Sequence, residues 1–384
     1  MIRIAGTVSK GWMAQAVDVA FDRDYYFDPI RRQAVDARCN AYLRDQLGEL
    51  DLLFTESNLG RREHYDDRQA LVGGIQPNMI FGLLVGAEFV PNDRMDADIS
   101  PTPLAGVEPG DLPTAESLLE HPLVRRFDDQ YRQLAGGGRE GDRSMFSEEA
   151  SYQARRQRAE KWTSPLPPRE RLPDLVPVPP LFWDGSSRAA IHGTLTTAQK
   201  LFGQSILLDL IADPARAESI LRWVDDVSIA LVRHFANLGG RKIAEVHVGE
   251  CSACMVRAET FERFLVPSLS RSGRELGSVR LHSCGASDHL LPGCRGIENL
   301  GSLDLGGETS VATARRLLGS EIPMDVAPLV EDLRAATPDA LLAWARRVAA
   351  ENGAGPLTVV YHLEQGYNLQ HLRALHDCVA ALGG

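Results

Sequence analysis

"VRLHSCGASD", residues 279–288, begins as a short apolar run and ends in His282, Ser283, Cys284 and Gly285. In a strand, side chains two apart share a face. His282 and Cys284 therefore aim at one point, which is half of a metal site if the segment is a strand that ends there. The flanking sequence supports that reading. Upstream, the strand-like "KIAEVHVGE" (242–250) precedes the helical pattern "RAETFERFLVPSLSRSGREL" (257–276). Downstream, "GIENLGSLDL" (296–305) precedes the helical "TSVATARRLLG" (309–319).

The same rhythm continues in both directions. "RAAIHG" (188–193) leads into "TTAQKLFGQSILLDLI" and the long helix "PARAESILRWVDDVSIALVRHFANLG". After 319 come "EIPMDVAP", "TPDALLAWARRVAAENG", "LTVVYHLEQ" and "NLQHLRALHDCVAAL". Alternation without a hairpin signal predicts βα units on a parallel sheet. No Gly-rich phosphate fingerprint follows any strand, so the expected architecture is a closed (β/α)8 TIM barrel. The N-terminal region would supply the remaining strand or strands and a helical cap. Chemistry in such barrels sits at the C-terminal ends of the strands. The candidate residues obey that rule: Glu250, Cys251 and Cys254 follow one strand, His282 and Cys284 end the next, Asp304 and Asp325 end two more, and Tyr361, His362 and Glu364 close the last.

The chain divides into three expected regions. Residues 1–100 read as a mostly helical cap and the start of the barrel. Residues 101–181, rich in Pro, Gly and charge around the helical "SEEASYQARRQRAEKW", read as an insertion or lid that shapes the mouth of the barrel. Residues 182–384 form the barrel body. A net charge of -11 leaves no basic field for nucleic acid. No signal-peptide pattern opens the chain and no apolar run is long enough to cross a membrane, so a cytoplasmic protein is expected. Six cysteines in 384 residues are too few for a disulfide scaffold, but four fall between 251 and 294, which suggests metal or thiol chemistry. Cys39 and Cys378 lie on helical patterns and read as core.

These motifs resemble those of the uroporphyrinogen decarboxylase superfamily, and most nearly its zinc-dependent, corrinoid-linked methyltransferase branch, over roughly residues 78–384. "LHSCG" is the most specific element. "HGTLTTAQKLFG" (192–203) resembles the branch's Gly-Pro-Phe-Thr-like loop, "RAETFERFLVPSL" the helix after its middle strand, and "PMDVAP" its Gly-Asn-Val-Asp-Pro strand end. "LLVGAEF" with Asp93 and Asp96 resembles the entry into the barrel. The decarboxylases' N-terminal Arg-Gln-Ala-Gly-Arg-Tyr segment has no counterpart; Arg61 and Arg62 stand in a different context. The resemblance implies zinc held by His282 and Cys284, a thiol-type acceptor activated by the metal, and a corrinoid or other methyl donor, the corrinoid often carried on a separate partner protein.

The branch completes its zinc site with a cysteine after the last strand. Here His362 stands near that place, while Cys251 and Cys254 are alternative sources from the neighbouring strand end; a lost metal site is the third outcome. Glu250, Asp304 and Asp325 are candidate catalytic acids or bases, and His192, Asp93 and Tyr361 candidate substrate-binding residues. His247 lies mid-strand, facing either the barrel or a helix. Two further readings stand beside methyl transfer: a decarboxylase or lyase acting on a small acid on the same barrel, and a non-catalytic corrinoid- or metal-binding protein. The chain is expected as a monomer or homodimer with a small-molecule substrate.

Overall fold

The computed structural model describes residues 2–55, 62–136 and 174–383. Its centre is a seven-stranded parallel sheet. In chain order its strands are β1 (Ile2–Val8), β6 (Arg188–His192), β7 (Glu245–Gly249), β8 (Ser278–Ser283), β9 (Leu300–Leu305), β10 (Met324–Val326) and β11 (Leu357–Leu363). Their spatial order is β1-β11-β10-β9-β8-β7-β6. From β6 to β11 each strand lies beside its successor, and a helical segment separates every pair, as the alternation predicts. The N-terminal β1 then pairs with the last strand.

The closed eight-stranded barrel is not observed. The sheet curls but stays open between β1 and β6 among the described residues. On the β1 edge only Leu53 makes an isolated parallel bridge, to Thr7. On the β6 edge Ala189 bridges Phe182 in the antiparallel sense. The three-residue strands β2 (Gln69–Leu71) and β5 (Val176–Val178) pair only with each other. Proline explains part of this: Pro177, Pro179 and Pro180 lack the N–H that a continuous ladder needs. The region around "LLVGAEF" is also not a barrel strand. It forms the small antiparallel pair of β3 (Phe89–Val90) and β4 (Asp98–Ile99).

Each sheet strand shows one face to helices and one to the inside of the curl. On β7 and β8 the outward residues Val246, Val248, Val279 and Leu281 are buried beneath the helix Val266–Leu276. Each such side chain contributes roughly 1.5–3 kcal/mol by leaving water. The inward residues are polar: His247, Arg280, His282, Asp304 and Asp325. Of the 101–181 region, the described helices Ala115–Leu119 and Pro122–Leu134 pack on the long helix Pro214–Leu238. Trp223 donates to the Pro113 carbonyl at 2.7 Å and Phe127 meets Phe235. The centre of the expected lid, with its helical 147–162 pattern, lies outside the described residues, as does Arg61.

Candidate metal centre

Strand register builds the site. Across five neighbouring strands, His192, Gly249, His282, Asp304 and Asp325 are consecutive partners in one row. Glycine in the second place leaves the space between the imidazoles open. A Cβ on Gly249 would stand 3.8 Å from His192 Cδ2 and 3.9 Å from His247 Nε2. The rings of His247 and His282 lie 5.7 Å apart.

Past the ends of β7 and β8 the thiols arrive. The turn Cys251–Met255 is anchored on both sides of Cys251. On one side, Glu250 N donates to the His282 carbonyl at 2.9 Å, extending the ladder by one residue. On the other, Ser252 N donates to Thr196 Oγ1 and Ser252 Oγ to Gln199 Oε1. Beyond β8, Gly306 N donates to the Ser283 carbonyl at 2.9 Å. A side chain at Gly306 would stand 2.1 Å from the Cys284 carbonyl, so only glycine lets the β9 end approach this closely. The result is a cluster of Cys251, His282 and Cys284 whose ligand atoms all lie within 4.8 Å of one another.

Protonation within the cluster follows from its contacts. The Cys251 thiol donates toward Cys284, and His282 lies on the other side. These two contacts hold the Cys284 thiol well below its ordinary range despite burial, while Cys251 is pushed up. Burial alone would lower His282, but Asp304 and Cys284 raise it to about 9. His282 Nδ1 stands 2.9 Å from Asp304 Oδ2, an ion-pair contact rather than an in-line hydrogen bond. Burial would raise Asp304, yet the Arg280 guanidinium and His282 hold it far below the carboxylate range. Without a metal, these contacts favour the thiolate at Cys284, the thiol at Cys251, the charged imidazole at His282 and the carboxylate at Asp304.

The other expected site residues are placed as follows. Asp304 and Asp325 face the inside but are tied to Arg280: its Nη2 is 2.9 Å from Asp304 Oδ2 and 2.6 Å from Asp325 Oδ2. His247 also faces inward, its Nδ1 against Arg280 Nη1. Glu250 is fully buried and caps the helix Thr194–Phe202, accepting from Thr196 N and Oγ1 at 2.8 Å each and from Leu195 N at 3.3 Å. A Cβ on Gly193 would sit 1.9 Å from that carboxylate. Burial lifts Glu250 to about 7 against those bonds. Its geometry is that of a helix cap rather than of a group facing substrate. Cys254 is beside the cluster, its Sγ 3.1 Å from the Cys251 carbonyl oxygen, but is not one of the three.

His192 shares the inner row. Its Nδ1 is buried without a hydrogen-bond partner among the described residues. Burial, then His282 and Lys200, lower it to about 4, so it is neutral. His362 stands apart, bonded through Nδ1 to Thr7 Oγ1 at 2.8 Å. Tyr361 points the opposite way, into the helix layer, where its hydroxyl meets His376 Nε2 at 2.8 Å. That placement runs against a substrate-binding role. Asp93 lies exposed in the β3–β4 loop. Arg280 is the inward-facing residue to which the sequence motifs assign no role. Its signal was present: Arg280, His282 and Cys284 share one strand face by the same period of two.

Two thiols and an imidazole are the donor set of a zinc site with an open position. Ligand atoms held 2.0–2.3 Å from one tetrahedral ion lie about 3.3–3.8 Å apart, within reach of the observed cluster. Among the described residues no helix is long and apolar enough to cross a membrane. No protein-family model and no curated protein matches the sequence. In fold, the whole chain is similar to the solved structure of a methyltransferase from Methanosarcina mazei, with a TM-score of 0.60 over 94% of that chain at 10% sequence identity.

Proposed function

We propose that this chain is a zinc-dependent methyltransferase of the uroporphyrinogen-decarboxylase-like kind, moving a methyl group from a corrinoid to a thiol. The observation that carries the reading is the convergence of Cys251, His282 and Cys284 at the rim of a parallel sheet. The likeness in fold to a methyltransferase agrees with it. Zinc, when bound, supplies a Lewis acid that makes a thiol acidic near neutral pH.

The chain's own groups do the rest. Cys251 and Cys284 supply two thiolate donors, whose negative charge favours a reactive sulfur in the open position. Asp304 holds His282 Nδ1 and leaves Nε2 as the donor nitrogen. Neutral His192, with Nδ1 unused among the described residues, is placed to hydrogen-bond a substrate entering above Gly249. In this reading the third ligand comes from the neighbouring strand end, so His362 is released from metal binding. The corrinoid arrives on a partner protein, and the chain works in the cytoplasm as a monomer or homodimer. The lyase reading is weaker, because, of its candidate acids, Asp304 is engaged by Arg280, Glu250 caps a helix end, and Asp93 lies exposed in the β3–β4 loop.

The test is elemental analysis of protein purified without added metal, followed by incubation with methylcobalamin and a small thiol. Zinc near one per chain together with thioether formation is expected. Full activity in metal-free protein sinks the proposal.

A further inference from the structure

We propose that Arg280 is a positioning residue of the metal centre, acting on His282 through Asp304; the inference rests on the metal reading above. Arg280 is one of the largest fully buried side chains in the described structure, at 2% exposure, on the inner face of β8. A guanidinium is stripped of water at such a place only if carboxylates and acceptors replace the water. They do so on three neighbouring strands. Nη2 reaches Asp304 on β9 at 2.9 Å, while Nη2 and Nε reach one oxygen of Asp325 on β10 at 2.6 and 3.2 Å. Nη1 reaches His247 on β7.

The consequence falls on Asp304. Asp304 and Asp325 are register partners, so a fully buried carboxylate and a partly exposed one sit side by side. The guanidinium between them fixes how each carboxylate is turned. Asp304 Oδ2 is shared between Arg280 and His282 Nδ1. Its orientation toward the imidazole therefore depends on the fork that holds it. Among the described residues Arg280 makes no hydrogen bond or ion pair with Cys251, His282 or Cys284, and it stands two residues before His282 on the same face. It acts one carboxylate removed. A lysine keeps the charge but cannot present two planar donors at once.

The experiment titrates the full-length metal-free chain with Co2+ and reads affinity by chelator competition and coordination by the d–d and thiolate charge-transfer bands. Arg280→Met/Asp325→Asn removes one charge of each sign and keeps Asp304; far-UV circular dichroism and melting report that it folds. It is expected to bind Co2+ ten- to a hundredfold more weakly than wild type, with altered d–d bands. Arg280→Lys, which keeps the charge, should lose less, about tenfold. Asp304→Asn should lose as much as the double variant, and adding Arg280→Met to it should cost less than about threefold more, because the two act in series. The inference is overturned if folded Arg280→Met/Asp325→Asn binds Co2+ like wild type with unchanged bands, or if Arg280→Met costs as much on Asp304→Asn as on wild type. Wild-type protein that binds no Co2+ overturns the metal reading and this inference with it.

Discussion

His282 and His362 occupy equivalent places on two inner strands. Each is the next-to-last residue of its strand, and each is followed two positions on by an ionisable side chain, Cys284 or Glu364. Their surroundings differ because their register partners differ. His282 lies between Gly249 and Asp304, with Cys251 just beyond. His362 pairs with Thr7, whose hydroxyl it engages, and its Nε2 is 3.7 Å from Glu364 Oε1. The row through His282 reaches β11 at Thr358. His362 is therefore four residues, about 13 Å along the strand, past that row. A histidine at a strand end joins a cluster of potential metal ligands when the adjacent strands bring thiols to its level, and among the described residues no such cluster includes His362.

The comparison breaks most sharply on the thiols. Cys284→Ser or Cys251→Ser should weaken zinc binding on the order of a thousandfold, since each ligand carries a share of a binding energy near 10–16 kcal/mol. Elemental analysis after gel filtration checks this. A Cys284→Ser protein retaining one zinc per chain would move the metal elsewhere. Asp304→Asn should cost ten- to a hundredfold in affinity with the three ligands intact, measured by chelator competition.

Acidity supplies the next lever. His282, raised to about 9, must lose its proton to become a ligand, and Cys251 must lose one too. Protons compete with the metal, so affinity should rise by up to about a hundredfold per pH unit from pH 6 to about 9, while both protons are displaced, and more shallowly, about tenfold per unit, above it, where only the Cys251 proton remains. A flat profile would mean that the metal uses other ligands.

A buried acid away from both histidines gives a smaller effect. Asp225 is lifted to about 7 by burial, against the bond from Ser268. Its folded pKa exceeds its unfolded value, so the folded state binds the proton more tightly and stability falls as pH rises from about 4 to 7. Asp225→Asn should flatten that decline and raise stability at pH 8 by about 2 kcal/mol, read from urea melts at several pH values. His362→Ala should have the smallest effect on metal content, within about threefold of wild type. A loss as large as that of Cys284→Ser would return the third ligand to β11.

Sequence alone determined the parallel α/β organisation and the pairing of His282 with Cys284, because both are local: a period of two on a strand, and strand–helix alternation. The same period marks Arg280, but a charged residue inside a sheet has meaning only once its partners are known. Tertiary structure decided everything that depends on distant segments meeting. It brought Cys251, and not His362, beside His282 and Cys284, since strand register sets which rims are level. It tied Asp304 and Asp325 to Arg280, set Glu250 against a helix end, and turned Tyr361 toward the helices. It also left the sheet open where a closed barrel was expected, because ring closure needs long-range backbone pairing, and the proline-interrupted segments at that edge lack the N–H groups to supply it.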